Sequence, residues 1–492
     1  MNNDSHWISA GALHADRLFP ADPGTRAVAR RLYNTVHALP IISPHGHTDP
    51  RWFADNAPFS DPVSLLLTPD HYITRMLYSQ GLSLEELGVV PLTGAAQAAG
   101  STSAASGAAC DPRAIWRKFA VHYHLFRGTP TRLWLDWVLA AVFATEAPLT
   151  AANADRTYDR IAGHLAQDAF RPRALFERFG IEVLATTESP LETLAHHATI
   201  RSSGWKGRVI SAYRPDPVVD PEAPGFAAGL ARLGELTAED TSSWHGYLAA
   251  HRKRRAFFKQ MGATSSDHGH PTARTADMSE HEAASLFGRI LGAARKGVVG
   301  SADAELFRAQ MLTEMARMSL DDGLVLQIHP GSWRNHNASL HERFGPNVGA
   351  DIPMRTEYVS ALRPLLNRFG NERSLTLIVF TLDESAYSRE LAPLAGHYPA
   401  LKLGPAWWFH DSPEGLLRFR EQTTETAGFY NTVGFNDDTR AFFSIPARHD
   451  AARRIDCAFL ARLVAEHRLP EDEAAAVARD LAYNLPKQAY KL

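Results

Sequence analysis

Two histidines separated by one residue follow the first apolar run of the sequence. His45 and His47 flank Gly46, just after the run that ends at Ser43. Alternate residues of an extended chain point the same way, so the two imidazoles can converge on one side. Two imidazoles suit zinc, and also manganese, iron or nickel, with the geometry deciding among them. A pair of structural histidines is the alternative, because the chain has 23 histidines and a lone His-x-His motif is weak.

Two carboxylates near the C-terminus could complete such a metal site. Asp437 and Asp438 follow the last apolar run, and in a closed barrel the last strand lies beside the first. A turn or a helix N-cap is the other interpretation of this stretch, and the two interpretations can apply to different residues. His329 ends the fifth apolar run and is either a third imidazole ligand or a structural histidine.

Arginines at the ends of apolar runs indicate an anionic substrate. Arg214, Arg334 and Arg440 all occupy such positions. A guanidinium presents a planar fork that matches a carboxylate, although any one of the three could instead form a surface ion pair. Tyr72, in the stretch of residues 70–75, could donate a proton near a metal or could simply belong to the core.

Eight short apolar runs must position these side chains. Their length and β-branched content favour buried strands, and helical patterns lie between most of them. This alternation predicts a (β/α)8 barrel, with other doubly wound α/β folds as alternatives. Reactive side chains at the carboxyl ends of several strands favour the barrel. The runs are residues 39–43, 181–187, 208–213, 263–267, 324–329, 375–380, 400–403 and 431–435.

The spacing of the runs predicts the domain organisation. We expect an N-terminal helical segment at residues 1–38 and a barrel at residues 39–492. A helical insertion should occupy about residues 52–179, after the first strand, and a second helical arm about residues 217–262. Residues 91–109 are rich in alanine, glycine and serine, which predicts a mobile loop.

Composition excludes several classes of function. The 492 residues are 45% hydrophobic and 21% charged with a net charge of -3, as in a soluble globular protein. A nucleic-acid-binding face would need a basic stripe, and the one basic run, residues 251–255, is predicted to be a solvated helix face. Two cysteines and no apolar N-terminal or membrane-spanning stretch predict a cytoplasmic protein.

Motifs along nearly the whole chain resemble those of the uronate isomerase family of the amidohydrolase superfamily. The likeness extends from about residue 31 to residue 490. No single motif is diagnostic, but their common order is specific. In chain order they are residues 44–47, 70–75, 186–190, 214–216, 267–269, 327–335, 407–409 and 433–449.

The resemblance implies a fold, a cofactor and a reaction. The fold would be a distorted (β/α)8 TIM-type barrel with a helical insertion after strand 1, holding one divalent metal ion, typically zinc. The reaction would convert D-glucuronate to D-fructuronate or D-galacturonate to D-tagaturonate. The metal ligands by position are His45, His47 and Asp438, the catalytic residues Asp438, Tyr72 and His329, and the substrate contacts His71, Arg75, Arg214, Arg334 and Arg440.

Such an isomerisation moves a proton from C2 to C1 of the sugar acid. We expect Asp438 or a metal-bound water to act as the base and Tyr72 to relay the proton. One alternative is a metal-dependent hydrolase of the same superfamily, acting on a sugar-acid lactone, ester or amide. Another is a non-catalytic sugar-acid binding protein, which the metal-ligating residues disfavour. The expected partner is a small-molecule sugar acid, and we expect a homo-oligomer.

Overall fold

The computed structural model describes residues 13–92 and 111–492, and most of the predicted mobile loop at residues 91–109 lies outside them. The strands and helices alternate over much of the chain, as an α/β fold requires. The strands are β1 (Ile41–Ser43), β2 (Ile181–Glu188), β3 (Arg208–Tyr213), β4 (Ser265–His268), β5 (Val325–Ile328), β6 (Ser332–Trp333), β7 (Ile352–Pro353), β8 (Leu377–Val379) and β9 (Leu401–Leu403).

Seven of these strands form one parallel sheet in the order β1-β2-β3-β4-β5-β8-β9, and β6 and β7 form a small antiparallel pair. The eighth predicted run does not form a full strand. It contributes an isolated parallel bridge between Leu403 and Thr432. Beyond that bridge, the amide of His47 donates a hydrogen bond to the carbonyl of Thr439 at 3.0 Å. The last segment thus reaches the residues after β1, which is the distorted barrel arrangement predicted from the sequence.

Helices cover the sheet and fill the long connections. They are α1 (Pro23–Val36), α2 (Pro50–Asp55), α3 (Pro62–Leu66), α4 (His71–Ser79), α5 (Pro112–His122), α6 (Pro130–Trp137), α7 (Ala154–Leu165), α8 (Pro172–Arg178), α9 (Ala195–Ser202), α10 (Asp216–Val219), α11 (Phe226–Thr237), α12 (Trp244–Gln260), α13 (Glu280–Ala294), α14 (Ser301–Asp322), α15 (Ala338–Phe344), α16 (Val359–Phe369), α17 (Ala392–Ala395), α18 (Pro413–Ala427), α19 (Ile445–Ala465), α20 (Glu471–Arg479) and α21 (Leu485–Ala489). The predicted domain limits stay a prediction.

Several helices of the N-terminal third begin at an Asp-Pro pair. In α1, α2, α3 and α5 an aspartate caps the helix and proline occupies its first turn. The carboxylate accepts a backbone N–H that lacks a partner inside the helix, and proline has no N–H to satisfy there. Asp70 caps α4 in the same way, accepting from the amide of Tyr72 at 2.9 Å. This cap fixes where α4 starts and therefore where His71 and Tyr72 lie.

The basic run at residues 251–255 is only partly solvated, so its prediction as a solvated helix face was wrong for three of its members. Arg252 and Lys253 are exposed, whereas His251, Arg254 and Arg255 are buried. Arg255 is 0% exposed and its Nε lies 2.6 Å from Asp322 Oδ2. The reason is that α12 packs against the sheet and against α14, so only one narrow side of the helix faces water.

The hydrophobic core lies mainly between the sheet and the helices that cover it. The strand residues of β5 and β8 are buried throughout, as expected for parallel strands that are covered on both faces. A separate cluster joins α1 to the C-terminal helices, with Ala29 and Leu32 packing among Cys457 and Leu460. In the described part of the chain, no helix combines the length and the apolar character that a bilayer crossing would need.

Candidate active site

A cleft of about 460 Å³ opens at the carboxyl ends of the parallel strands. Its size is within the ~300–1,000 Å³ typical of small-molecule sites. The cleft brings together every predicted site residue except Arg75. Those that line it are His45, His47, His71, Tyr72, Arg214, His329, Arg334, Asp438 and Arg440. The guanidinium of Arg75 instead lies over the ring of Phe409, 4.5 Å from its centroid.

The His-x-His pair converges on one oxygen of Asp438. Nε2 of His47 lies 3.2 Å from Asp438 Oδ1, and Nε2 of His45 lies 3.6 Å from the same atom. The other oxygen, Oδ2, accepts a hydrogen bond from the indole N–H of Trp407 at 2.5 Å. Trp407 belongs to the sequence motif at residues 407–409. In the structure it orients the carboxylate that faces the histidines.

The two neighbouring aspartates of the last segment face different partners. Asp437 is buried and its Oδ2 lies 3.0 Å from His449 Nε2, and neither of these two residues lines the cleft. Asp438 faces the histidines with a φ of 34°, a conformation that non-glycine residues rarely adopt. Its amide donates to the side-chain oxygen of Asn436 at 3.1 Å, which helps to hold this backbone geometry. Asp437 therefore forms a buried hydrogen-bonded pair with His449 rather than a helix cap, and the metal-ligating role of Asp438 stays a prediction.

The donor set at the bottom of the cleft fits a divalent metal ion. Donor atoms of His45, His329 and Asp438 lie within 4.8 Å of one another. Within residues 13–92 and 111–492, His329 Nε2 and Asp438 Oδ1 are buried without a hydrogen-bond partner. Buried polar atoms normally have partners, and imidazole nitrogens with a carboxylate oxygen are common ligands of zinc and related ions. Burial lowers the pKa of His45 to about 4, so at neutral pH its ring is neutral, as a metal ligand must be.

Asp267 is the main site residue that the sequence did not predict. It is fully buried at the end of β4, where its Oδ1 accepts from His329 Nδ1 at 2.5 Å and its Oδ2 accepts from Arg214 Nη1 at 2.9 Å. Burial opposes ionisation, but Arg214 and His329 hold the pKa of Asp267 well below its ordinary value. The hydrogen bond fixes the proton of His329 on Nδ1 and leaves Nε2 as the unprotonated nitrogen.

The three predicted arginines differ in how their charges are compensated. Arg214 contacts two carboxylates, Asp267 and Asp216, the second at 2.8 Å from its Nε. Arg334 contacts one, with its Nη1 3.0 Å from Asp351 Oδ2. Arg440 donates to the neutral amide oxygen of Asn347 at 3.0 Å. Among the residues that the structure describes, Arg440 forms no ion pair, so of the three arginines it is best able to bind the carboxylate of a ligand.

His71 and Tyr72 line the side of the cleft that α4 contributes. Burial, together with four nearby arginines, lowers the pKa of His71 to about 3, so its ring is neutral at neutral pH. Burial raises the pKa of Tyr72 well above its ordinary value, so the phenol keeps its proton at neutral pH. The guanidinium of Arg448, which pairs with Asp411, lies 5.7 Å from the centroid of the Tyr72 ring. Tyr72 can therefore donate a hydrogen bond into the cleft.

Residues 24–490 match the sequence model described as glucuronate isomerase. This chain belongs to the glucuronate isomerase family. Relatives named uronate isomerase match it over nearly their whole length. The one from Phenylobacterium zucineum is 67% identical over 480 residues, which are 98% of this chain and 97% of that protein. The one from Mesorhizobium japonicum is 66% identical over 477 residues, 97% of this chain and 98% of that protein.

Solved structures of the glucuronate isomerase family share this fold. A glucuronate isomerase from Caulobacter crescentus superposes with a TM-score of 0.93 at 63% identity, covering 97% of each chain. A uronate isomerase from Thermotoga maritima superposes with a TM-score of 0.87 at 25% identity, covering 97% of this chain and 99% of the other. The predicted family and the predicted barrel-type fold are both confirmed.

Proposed function

We propose that this chain is a metal-dependent uronate isomerase that interconverts D-glucuronate and D-fructuronate, D-galacturonate and D-tagaturonate, or both pairs. One observation carries the proposal. The cluster of His45, His47, His329 and Asp438 shares a single cleft with Arg440, which has no ion-pair partner among the described residues. A cation site beside an uncompensated guanidinium suits a substrate that has both a carbonyl group and a carboxylate.

The metal ligands that we propose are His45, His47 and Asp438, with His329 as a fourth donor or a substrate contact. A divalent ion held there, zinc in the first instance and manganese, iron or nickel as alternatives, would act as a Lewis acid that polarises the sugar carbonyl. Burial opposes ionisation of Asp438, but His45 and His47 hold its pKa below the ordinary value. Asp438 is therefore ionised at neutral pH, as a cation ligand must be.

The C6 carboxylate of the substrate is assigned to Arg440 and Arg334. Arg440 has an amide as its partner and, among the described residues, Arg334 pairs only with the carboxylate of Asp351. Both guanidinium groups can therefore donate further charge-assisted hydrogen bonds to the substrate carboxylate. Arg214 is a less suitable anchor because two carboxylates already occupy its guanidinium. We propose that Arg214 instead holds Asp267, and through it His329, in place.

The proton transfer from C2 to C1 needs a base and a proton donor beside the sugar carbons. We assign Asp438 as the base, because its Oδ1 is the ionised oxygen that faces the cleft. Tyr72 is assigned as the donor, because its phenol stays protonated and lines the same cleft. General acid–base groups of this kind contribute roughly 10²–10⁴-fold each. His71 is neutral and would contact the sugar hydroxyls.

Hydrolysis of a sugar-acid lactone, ester or amide is the less favoured function, since the family and the full-length relatives are isomerases by name. Proton NMR of D-glucuronate and D-galacturonate with the zinc-loaded protein in deuterated water separates the two functions. We expect ketose formation, with deuterium at C1 where the abstracted proton exchanges with solvent. If zinc is found on the protein and neither sugar acid changes, the isomerase proposal is refuted. Cleavage of a lactone under the same conditions would support the hydrolase.

A further inference from the structure

A second His-x-His motif lies outside the cleft lining. His268, Gly269 and His270 end β4 and begin the loop after it. Both histidines are buried, with 1% and 5% of their surface exposed. None of their four ring nitrogens has a hydrogen-bond partner in the part of the chain that the structure describes. Two buried imidazoles without any partner are unusual, because buried polar groups are nearly always satisfied.

A carboxylate completes the arrangement. Donor atoms of Asp216, His268 and His270 all lie within 4.8 Å of one another. The amide of Gly269 donates to both oxygens of Asp216, at 3.1 and 3.2 Å, and Arg214 Nε donates to Oδ2 at 2.8 Å. A carboxylate has about four lone-pair positions, so Asp216 retains acceptor capacity after these bonds.

Glycine is required between the two histidines. A Cβ atom at Gly269 would lie 2.1 Å from Nη2 of Arg214 and 3.0 Å from Oδ2 of Asp216. A larger residue would displace the Arg214 guanidinium from Asp216 and Asp267, so glycine lets the loop lie against Asp216 without disturbing that ion pair. The arrangement follows from the local sequence and is not an accidental meeting of surface side chains.

We propose that Asp216, His268 and His270 bind a second divalent transition-metal ion of the zinc class. Zinc and related ions bind donor sets of two imidazole nitrogens and one carboxylate oxygen. The donor atoms lie within 4.8 Å of one another, and small side-chain rotations would bring them to metal-bonding positions. The three ligands are separate from His45, His47 and Asp438, so the two ions would occupy different places on the same chain.

The surroundings favour a cation at this second site. Arg308 contacts three carboxylates, with Nη1 2.6 Å from Asp220 and 2.8 Å from Glu222, and Nη2 3.0 Å from Glu305. One guanidinium against three carboxylates leaves an excess of negative charge beside His270. Burial lowers the pKa of His268 to about 3, so protons do not compete with a metal for its ring at neutral pH.

The second ion would act on the cleft through Arg214. Asp216 is the link, since its Oδ2 accepts from Arg214 Nε, and the far side of the same guanidinium holds Asp267. An ion on Asp216 would restrict that carboxylate and therefore the position of Arg214. The second site is in this sense a positioning site, and it does not touch the substrate.

Metal counting on the full chain tests the proposal. The protein is loaded with zinc, freed of loose ions by gel filtration, and its zinc content is measured by elemental analysis. We expect two ions on each wild-type chain and one on each His270→Asn and each His268→Asn chain. His45→Asn is the matched control, because it should also lose one ion, but from the other site. Combining His45→Asn with His270→Asn should leave almost none.

Diffraction keeps the test decisive if a variant fails to fold. Wild-type crystals soaked in zinc should give an anomalous peak at the zinc edge among Asp216, His268 and His270, in addition to one near Asp438. One ion per wild-type chain, lost in His45→Asn and retained in His270→Asn, would overturn the proposal. So would zinc-soaked crystals that give no anomalous peak at the second position, where buried water would then satisfy the imidazoles.

Discussion

Replacing Asp267 by asparagine tests how His329 is oriented. Asp267 is fully buried and is the acceptor for both His329 Nδ1 and Arg214 Nη1. Asparagine keeps the shape but loses the charge, and its amide can present a donor to His329 and so favour the wrong tautomer. A hydrogen bond to a charged group contributes about 1.5–3 kcal/mol, which corresponds to a fall of about 10- to 100-fold in kcat/KM.

The same substitution should also destabilise the fold. Removing one partner of a buried ion pair typically costs about 3–5 kcal/mol of unfolding free energy. Asparagine retains an acceptor oxygen, so the lower end of that range is expected here. Urea unfolding of the metal-loaded protein measures this quantity, and steady-state isomerisation of D-glucuronate measures kcat and KM separately.

Asp351→Asn is the matched control. Asp351 also lines the cleft and pairs with an arginine, but the Arg334 side chain is 39% exposed and, among the described residues, no histidine pairs with Asp351. Asp351 itself is buried and accepts from the amide of Asn335 at 2.7 Å, a bond that asparagine can keep. The unfolding free energy should therefore fall by only about 0.5–1.5 kcal/mol, less than for Asp267→Asn, and any kinetic effect should appear in KM. Wild-type kcat/KM in a folded Asp267→Asn protein would refute the assigned function of Asp267. Equal losses of kcat/KM in Asp267→Asn and Asp351→Asn would refute it as well.

Four further predictions concern the candidate metal ligands, their supporting residues and one half-buried acid. Asp438→Asn should abolish most turnover with the fold intact, and wild-type turnover would exclude it as ligand and base. Trp407→Phe removes the N–H that binds Asp438 and should lower kcat about 10- to 100-fold, whereas Trp408→Phe, which leaves that bond in place, should not. Chelation should lower the Tm of the wild type reversibly and that of Asp438→Asn by less, since a ligand stabilises only the protein that binds it. Burial raises the pKa of Glu188 from 4.5 to about 7, so the folded state binds the carboxyl proton of Glu188 more tightly than the unfolded chain does. The protonated carboxyl group therefore stabilises the fold at low pH, and this contribution is lost as the pH rises through 7. The unfolding free energy of Glu188→Gln should therefore match that of the wild type at pH 5 and exceed it at pH 8 by at most about 3 kcal/mol. An equal difference in unfolding free energy at both pH values would contradict the raised pKa of Glu188.

Local pattern was enough to predict most of the residues that converge on the cleft, whereas His71 was added only by the resemblance to the family. His45 and His47 are two apart at the end of a strand, and Asp438 follows the segment that lies beside that strand in a barrel. Such positions depend on the alternation of an extended chain and on the order of the strands, both of which are visible in the sequence. The arginine positions followed from the same reasoning.

Partners of charged side chains were not predictable in this way. Asp267 was missed because its strand begins with two serines, Ser265 and Ser266, and forms a weak apolar run. Its contacts with Arg214 and His329 join residues 53 and 62 positions away. Spacing alone did not separate Asp437 from Asp438, because side-chain direction is not visible in it, and only the resemblance to the family singled out Asp438.

The sequence by itself determined the order of strands and helices, the His-x-His motif and the family, because these depend on residue types at fixed local spacing. The tertiary structure decided which charges compensate one another, that Trp407 orients Asp438, and that Arg255 lies inside the protein. It also decided that two neighbouring strand ends bring His268 and His270 to Asp216. The physical reason is that burial and ion pairing depend on segments far apart in the chain, which meet only when the strands are packed side by side.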